Sequence, residues 1–472
     1  LVGITVSPIG QVVPAFFPEI PDGVIVRLRF LNAAALIALA SCTAEPAAPP
    51  GPQAPAVETA PLQAAVTDPR VRRFYEARQW RPAWTVEAEA SLAAALGEAD
   101  RQGLRPDDFR APLARAREGA AREAALSLAA LNYAEALARG RTDPTRLERI
   151  YEIPRPAPDL TAGLERVLAG NGDVRGWVNG LAPQDADYRA LSAAYVDAKR
   201  QADAAGARAT TEQKDRVRTL AVNLERRRWL DRAPARTRID VNTASTVLVY
   251  WRDGAVRDTR RVVVGSAGER ATPSLATPMF QLVANPTWTV PRSIGMSAGY
   301  MARRGFTVRN GRRVQPPGPG NALGLVKFDL RNGHAIYLHD TPSKSLFLRD
   351  ERHASHGCVR VHNALEFAEI IARDEGVLDQ LQRAQRAPTA RRTTGEDAAP
   401  QPAQRRYVQR WIPLPREIPV RLLYQTAFVE NGQVRIVRDV YGRDDRVAEA
   451  LGLQPRVRPA PRAAGAPADV GP

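Results

Sequence analysis

RIDVNTASTVLVYWRDGAVRDTRRVVVG, residues 238–265, is where the chain changes period. Valine-rich runs alternate apolar and polar positions on either side of an Arg-Asp-Gly turn, the pattern of two half-buried strands joined as a hairpin. Further strand-like runs follow in MFQLVANPTWTVP, GLVKFDL and AIYLHD. They return in VRLLYQTAFV and QVRIVRDVYG around an ENG turn, beyond a Pro-, Thr- and Ala-rich interruption at 386–404 read as a flexible insertion. A mostly β domain is therefore expected over 231–453, with the strands on both sides of that insertion in one sheet system.

Upstream the period is helical. In DRVRTLAVNLERRRWL, Val217, Leu220, Ala221 and Leu224 recur at i, i+3, i+4 and i+7, which predicts one apolar stripe with Arg and Glu on the other face. Similar spacing runs through 91–99 and 125–138, with turns at GLRPDDF and GRTDP. An all-helical domain is expected over 68–230. Its polar residues show no clustered acid and base, so it reads as scaffold or recognition surface. The expected class is α+β multidomain, helical first and mostly β second.

The beginning of the chain reads differently. In VRLRFLNAAALIALASC, Arg27 and Arg29 precede an apolar run and small residues precede Cys42, the layout of a secretion signal too short to span a bilayer stably. LASC resembles a lipobox, which implies cleavage before Cys42 and lipid on its sulfur, several acyl chains together making a stable anchor. A plain secretion signal or a buried alanine-rich helix is the alternative. Residues 1–24 look like the product of an upstream start, residues 43–67 like a Pro- and Ala-rich tether, and residues 454–472 like a disordered tail. The expected location is the periplasm, with membrane contact only through an anchor at Cys42 in the outer or inner membrane.

A net charge of +16, from 67 basic and 51 acidic side chains, favours polyanionic surroundings without choosing among them. The secretion signal, and a sequence without zinc-finger, cold-shock or RNP-type motifs, argue against nucleic acid. Solvated arginines from a biased composition are the bland account.

Chemistry concentrates in one place. All five histidines and one of the two cysteines lie within GHAIYLHDTPSKSLFLRDERHASHGCVRVH, residues 333–362. A cysteine needs a nearby base to become a thiolate at neutral pH, so this crowding points to nucleophilic catalysis. Gly357, just before Cys358, permits unusual torsions and close approach, so the amides of 357 and 358 can point at a developing oxyanion. His339 follows a strand-like run, where a side chain is held rigidly and still reaches a neighbouring loop. A Cys-His pair within hydrogen-bond reach would lower the thiol pKa and attack an amide carbonyl. Arg360 could grip a carboxylate in bidentate fashion. Two other readings stay open: a zinc site from His353, His356, Cys358 and His362, whose spacing fits no finger or ribbon, and an inert buried cysteine among unrelated histidines.

PGPGNALGLVKFDL, IYLHDTPS and SHGCVRV together resemble the catalytic domain of L,D-transpeptidases, the YkuD-type cysteine enzymes of bacterial cell walls. VVVGSAGERATPSLATP resembles that family's early strand and TP turn. LLYQTAFV with RDVYGRD resembles the closing strands of its large periplasmic subgroup, and FYEARQWRPAWT, DRQGLRPDDF and NLERRRWL resemble that subgroup's helical scaffold domain. The resemblance implies a β-sandwich-like catalytic domain with Cys358 as nucleophile and His339 as base. It further implies that His356 and Ser355 shape the loop, Gly357 completes the oxyanion region, and Arg360 and Asp340 attend the substrate, the carbonyl at or beside Asp340 orienting the base. No metal and no cofactor is implied.

The implied reaction is acyl transfer between peptidoglycan stem peptides, donor and acceptor, with loss of D-alanine and inhibition by carbapenems. Same-fold alternatives are D-amino-acid exchange, attachment of a protein to the wall, and hydrolysis; a non-catalytic wall-binding scaffold is the alternative of another class. Wall-synthesis proteins are conceivable further partners. Two departures stand out. Only the short Ala-rich span 198–213 occupies the place of the subgroup's peptidoglycan-binding module, and the region 290–315, which resembles the site of a substrate-capping insertion, is short.

Overall fold

The computed structural model describes residues 59–116, 118–291, 294–386 and 407–454. The secretion signal, the lipobox at Cys42, most of the tether, the insertion and the tail lie outside the described residues.

Helices occupy the first part. Gly119–Arg139 runs through the middle of its core, with Leu126, Ala130, Tyr133 and Leu137 buried among neighbours that include Phe74, Leu92 and Leu164. The alanines on this helix let its neighbours approach closely. Side chains end the helices where the sequence changes: Asp68, Thr85, Asp159, Asp173 and Asp185 each accept a backbone N–H of the following first turn. Thr210 and Gln213 form a reciprocal capping box at the start of Thr211–Arg228.

The tether is shorter than expected. Ala60–Ala65 is helical, with Pro61 in its first turn, and Leu62 and Val66, one helical turn apart, pack into the helical core. Two large apolar side chains at that spacing suffice to dock what composition marks as linker.

The second part is built from β1 (Arg238–Asn242), β2 (Val247–Arg252), β3 (Ala255–Gly265), β4 (Ser274–Ala284), β5 (Val326–Leu330), β6 (Leu338–His339), β7 (Val359–Val361) and β8 (Arg410–Leu423). β1, β2 and β3 pair antiparallel in succession; β3 pairs with β7, β7 with β6 in parallel, β6 with β5, β5 with β4, β4 with β8, and β8 in parallel with β1. These pairings close on themselves. The expected sandwich-like domain thus takes the form of one continuous ring of strands, whose core receives Phe367 and Ile371 from helix Ala364–Asp374. Tyr151–Glu152, from the helical part, joins the sheet in parallel beside Ser274 and Leu275 of β4.

Two expectations change here. Strand β8 joins the main sheet, but Ala427–Glu430 and Gln433–Ile436 form a separate hairpin, turning at Asn431 and Gly432, both at positive φ. Ala427 packs in the core of the helical part, with Val429 and Val434 against it, so this hairpin belongs to the helices rather than the sheet.

From Arg218 on, helix Thr211–Arg228 does not offer its polar face to solvent. Arg218, Asn223, Glu225, Arg226 and Arg228 are all buried: helix Arg443–Ala450 and the segment around Thr426 meet Arg218, Asn223 and Arg226, while Thr142, Gln102 and Tyr188 of the helical part meet Glu225 and Arg228. Arg226 pairs with Asp444 at 2.5 Å and Arg228 with Glu225 at 2.7 Å. Buried charges survive only when paired and hydrogen-bonded, which is what this helix's Arg-Glu pattern supplies.

Candidate active site

The register of β6 on β7 builds the site. Leu338 pairs with Val359 and His339 with Arg360, and the Val359 N–H donates to the Tyr337 carbonyl. Side chains alternate along strands, so Leu338, Val359 and Val361 turn into the core while Tyr337, His339, Cys358 and Arg360 share the opposite face. That face lines a cavity of about 480 Å³, walled further by Trp288, Val290, Ile294 and Leu323. The last four form the small core of a cap made of Trp288–Thr289, Thr307–Arg309, Arg312–Gln315 and helix Ala298–Arg303. The described residues of the short region 290–315 are therefore a folded lid on the cavity.

His339 is flanked on its strand neighbours by Arg360 of β7 and Lys327 of β5. Burial first, then those two cations, hold its pKa down to about 3, against the opposing hydrogen bond to Asp340. The imidazole is neutral at physiological pH. Its Nδ1 lies 2.5 Å from the Asp340 carbonyl, which can only accept, so Nδ1 carries the proton and Nε2 keeps a lone pair. Asp340 thus orients the base through its backbone. Its carboxylate, expected at the substrate, instead accepts from the Leu325 N–H at 3.0 Å and pairs with Lys344. A buried carboxylate takes the nearest donors, and both belong to the loops beneath.

The thiol of Cys358 donates to the Ala335 carbonyl at 3.5 Å rather than to His339. The Tyr337 hydroxyl and backbone N–H are also directed at the sulfur, and Trp288 hydrogen-bonds that hydroxyl. Burial raises the thiol pKa, outweighing the lowering by Tyr337, Lys327 and Arg360. The expected lowering of the thiol pKa by His339 is absent from the resting site, because desolvation penalises charge on both partners. The pair rests as neutral thiol and neutral imidazole. Alkylation of Cys358 by iodoacetamide, followed by mass spectrometry, should accordingly be slow at neutral pH and keep climbing beyond the ordinary thiol range. A plateau already reached at neutral pH would show a preformed thiolate and contradict this electrostatic picture.

The turn before the nucleophile is clamped on both sides. Gly357 sits at φ +115, where a side chain would be strained. Its N–H donates to Ser355 Oγ at 3.2 Å, and Ser355 Oγ donates to the Cys358 carbonyl at 2.6 Å. The Gly357 amide is thereby occupied, which leaves the Cys358 amide for an oxyanion. Thr272 Oγ1 donates to the Gly357 carbonyl at 2.9 Å and accepts from the Gly265 N–H. Arg443 holds Thr272 through its carbonyl at 2.9 Å, and Glu148 of the helical part pairs with Arg443 at 3.0 Å. The helical part thus reaches the nucleophile's turn through three side chains.

Ala335, the thiol's acceptor, has φ +54, a conformation disfavoured for a residue with a side chain. Asn332 Oδ1 holds it by accepting the N–H groups of His334 and Ile336, and His334 pairs with Glu152 of the helical part at 2.7 Å.

Arg360 is buried on the cavity face and its Nε has no partner among the described residues. His356 lines the cavity at its solvent-facing side, its pKa lowered by partial desolvation and then by Arg270 and Arg360. The other residues of the zinc reading are engaged elsewhere: His353 faces Glu351 and the Thr243 carbonyl, and His362 meets Phe347 edge-on. Among the described residues no three ligand-type side chains converge. Tyr337, Lys327, Asn332 and Thr272 were not singled out from the sequence. Tyr337 carried a signal, lying two positions before His339 on the same strand face; the others came together only by folding.

Residues 236–378 match the family model of the YkuD L,D-transpeptidase catalytic domain, and residues 69–194 match that of the Scaffold domain. A Haemophilus influenzae protein provisionally named an L,D-transpeptidase is 27% identical over 267 residues, 50% of either chain. This chain therefore spans about half the length of the curated relative it matches. A cysteine-to-serine mutant of Enterococcus faecium L,D-transpeptidase aligns at 14% identity, covering 30% of this chain and 48% of the other with a TM-score of 0.21. An L,D-transpeptidase from Stackebrandtia nassauensis aligns at 17% identity over 39% of this chain and 72% of the other, with a TM-score of 0.18. Overlaps that partial carry no argument about the site.

Proposed function

We propose that this chain, which carries a Scaffold domain followed by a YkuD-type L,D-transpeptidase catalytic domain, cross-links peptidoglycan stems with Cys358 as nucleophile and His339 as base. The observation that carries this reading is the strand register that sets Tyr337, His339, Cys358 and Arg360 on one face of one cavity. Sulfur of Cys358 attacks the amide carbonyl joining the third stem residue to the terminal D-alanine, and its proton passes to Nε2 of His339. The Cys358 N–H faces the oxyanion, while Arg360, without an ion pair among the described residues, takes a donor carboxylate. D-alanine leaves with the proton from His339, and a thioester remains. The amine of a second stem attacks that thioester, His339 accepts its proton, and the sulfur departs as the new amide forms.

The basic, apolar and small-residue pattern ahead of Cys42 supports a lipid-anchored periplasmic location for this reaction. The test is to incubate chain beginning after Cys42 with disaccharide-tetrapeptides and follow the products by mass spectrometry. Dimers lacking one D-alanine support cross-linking; tripeptide monomers alone would replace it by hydrolysis, and terminal D-amino-acid replacement by exchange. Unchanged substrate would leave the wall-binding scaffold.

A further inference from the structure

The cap over the cavity has an unusual charge. From Asn285 to Phe328 the sequence contains no Asp or Glu, yet it holds Arg303, Arg304, Arg309, Arg312 and Arg313 among its cations. Elsewhere this protein's arginines are widely paired with carboxylates, down to the buried Arg226 and Arg228. On the cap, among the described residues, Arg304 meets only the Gly320 carbonyl and the Tyr300 ring, and Arg313 the Ile294 carbonyl. Arg303, Arg309 and Arg312 have no ion pair among the described residues.

The hairpin at the cap's edge sharpens the point. Arg309 and Arg312 stand directly opposite each other across a turn at Asn310 and Gly311, both at positive φ. Like charges facing across a strand pair destabilise it, so folding does not explain this placement. Between them and the helix end lies Val308, 73% exposed. Arg312 also lines the catalytic cavity, so the basic surface runs continuously into its mouth.

We propose that the cap is a docking surface for a carboxylate-rich polymer, the assembled peptidoglycan itself, whose neighbouring stem peptides present free carboxylates around the stem in the cavity. This rests on the transpeptidase reading and extends it. The arginines neutralise stems flanking the donor, and so hold the enzyme on the wall where residues 206–210 merely turn one helix into the next.

The test is sedimentation of the protein with purified sacculi at low and high salt. Wild type should bind in a salt-sensitive way, and an Arg303→Glu/Arg309→Glu variant should bind roughly tenfold more weakly. Neither side chain makes a hydrogen bond or ion pair among the described residues, so the variant should turn over soluble disaccharide-tetrapeptide as wild type does. Cys358→Ala protein should sediment normally, which separates docking from chemistry: wild-type protein that bound sacculi yet left soluble disaccharide-tetrapeptide unchanged would refute the reaction alone. Unchanged sedimentation of the double variant would overturn the proposal. So would equal binding to sacculi whose carboxylates have been amidated, or a loss confined to anionic phospholipid vesicles.

Discussion

A Cys358→Ala chain should release no D-alanine from a disaccharide-tetrapeptide and should show no mass increase with donor or a carbapenem. The rate should fall by at least about 10³-fold, since the covalent route disappears and the remaining binding groups supply little chemistry. No neighbouring group can substitute. The hydroxyl of Ser355 donates to the Cys358 carbonyl and accepts from Gly357, and Thr272 is engaged with Gly357 and Gly265. The variant should fold normally, because the thiol donates a single long hydrogen bond among the described residues, to Ala335, and the Tyr337 hydroxyl directed at the sulfur keeps Trp288 as a partner. A His339→Gln chain should acylate about 10² to 10⁴-fold more slowly while retaining the sulfur. Intact-mass spectra and D-alanine release measure both variants. A covalent adduct on the Cys358→Ala protein, or undiminished release from it, would sink the proposed chemistry.

Glu225→Ala should be the most destabilising single change in the helical part, costing about 3 to 5 kcal/mol. Glu225 is fully buried and accepts from the Thr142 N–H and Oγ1 at 2.7 Å each, from Arg228 Nη2 at 2.7 Å and Nε at 3.2 Å, and from Trp229 Nε1 at 3.3 Å. Removing the carboxylate leaves the Arg228 guanidinium buried without its counter-charge, with the Gln102 carbonyl and Tyr188 hydroxyl as its remaining hydrogen-bond partners among the described residues. The exposed pair of Lys199 and Asp203 is the control. It lies at the same 2.5 to 2.7 Å separation, yet Asp203→Ala should cost no more than about 0.5 kcal/mol, because Asp203 is largely open to water, which screens the pair, and Lys199 is only partly buried. Urea unfolding of the two variants gives both numbers, and equal losses would contradict the assignment of Glu225 to a buried ionic hub.

Much of this was legible residue by residue. The change of period at 238 marks the passage from helices to strands, since side-chain spacing along a segment reports which face is buried. The crowding of histidines around Cys358 marked the reactive groups, with Cys358 as nucleophile and His339 as base; that Tyr337 shares their face emerged only from the strand register. The helix Thr211–Arg228 misled because its Arg and Glu positions have the same spacing whether water or protein covers them.

The sequence by itself thus determined the order of helices and strands and the identity of the reactive groups, both of which follow from local spacing and side-chain chemistry. Only the tertiary structure decided that β6 lies parallel to β7, that β8 returns to close the ring, that Ser355 occupies the Gly357 amide, and that burial keeps thiol and imidazole uncharged. Each of those depends on which distant segment covers a group, and both pKa and hydrogen-bond partner are properties of the surroundings rather than of the residue.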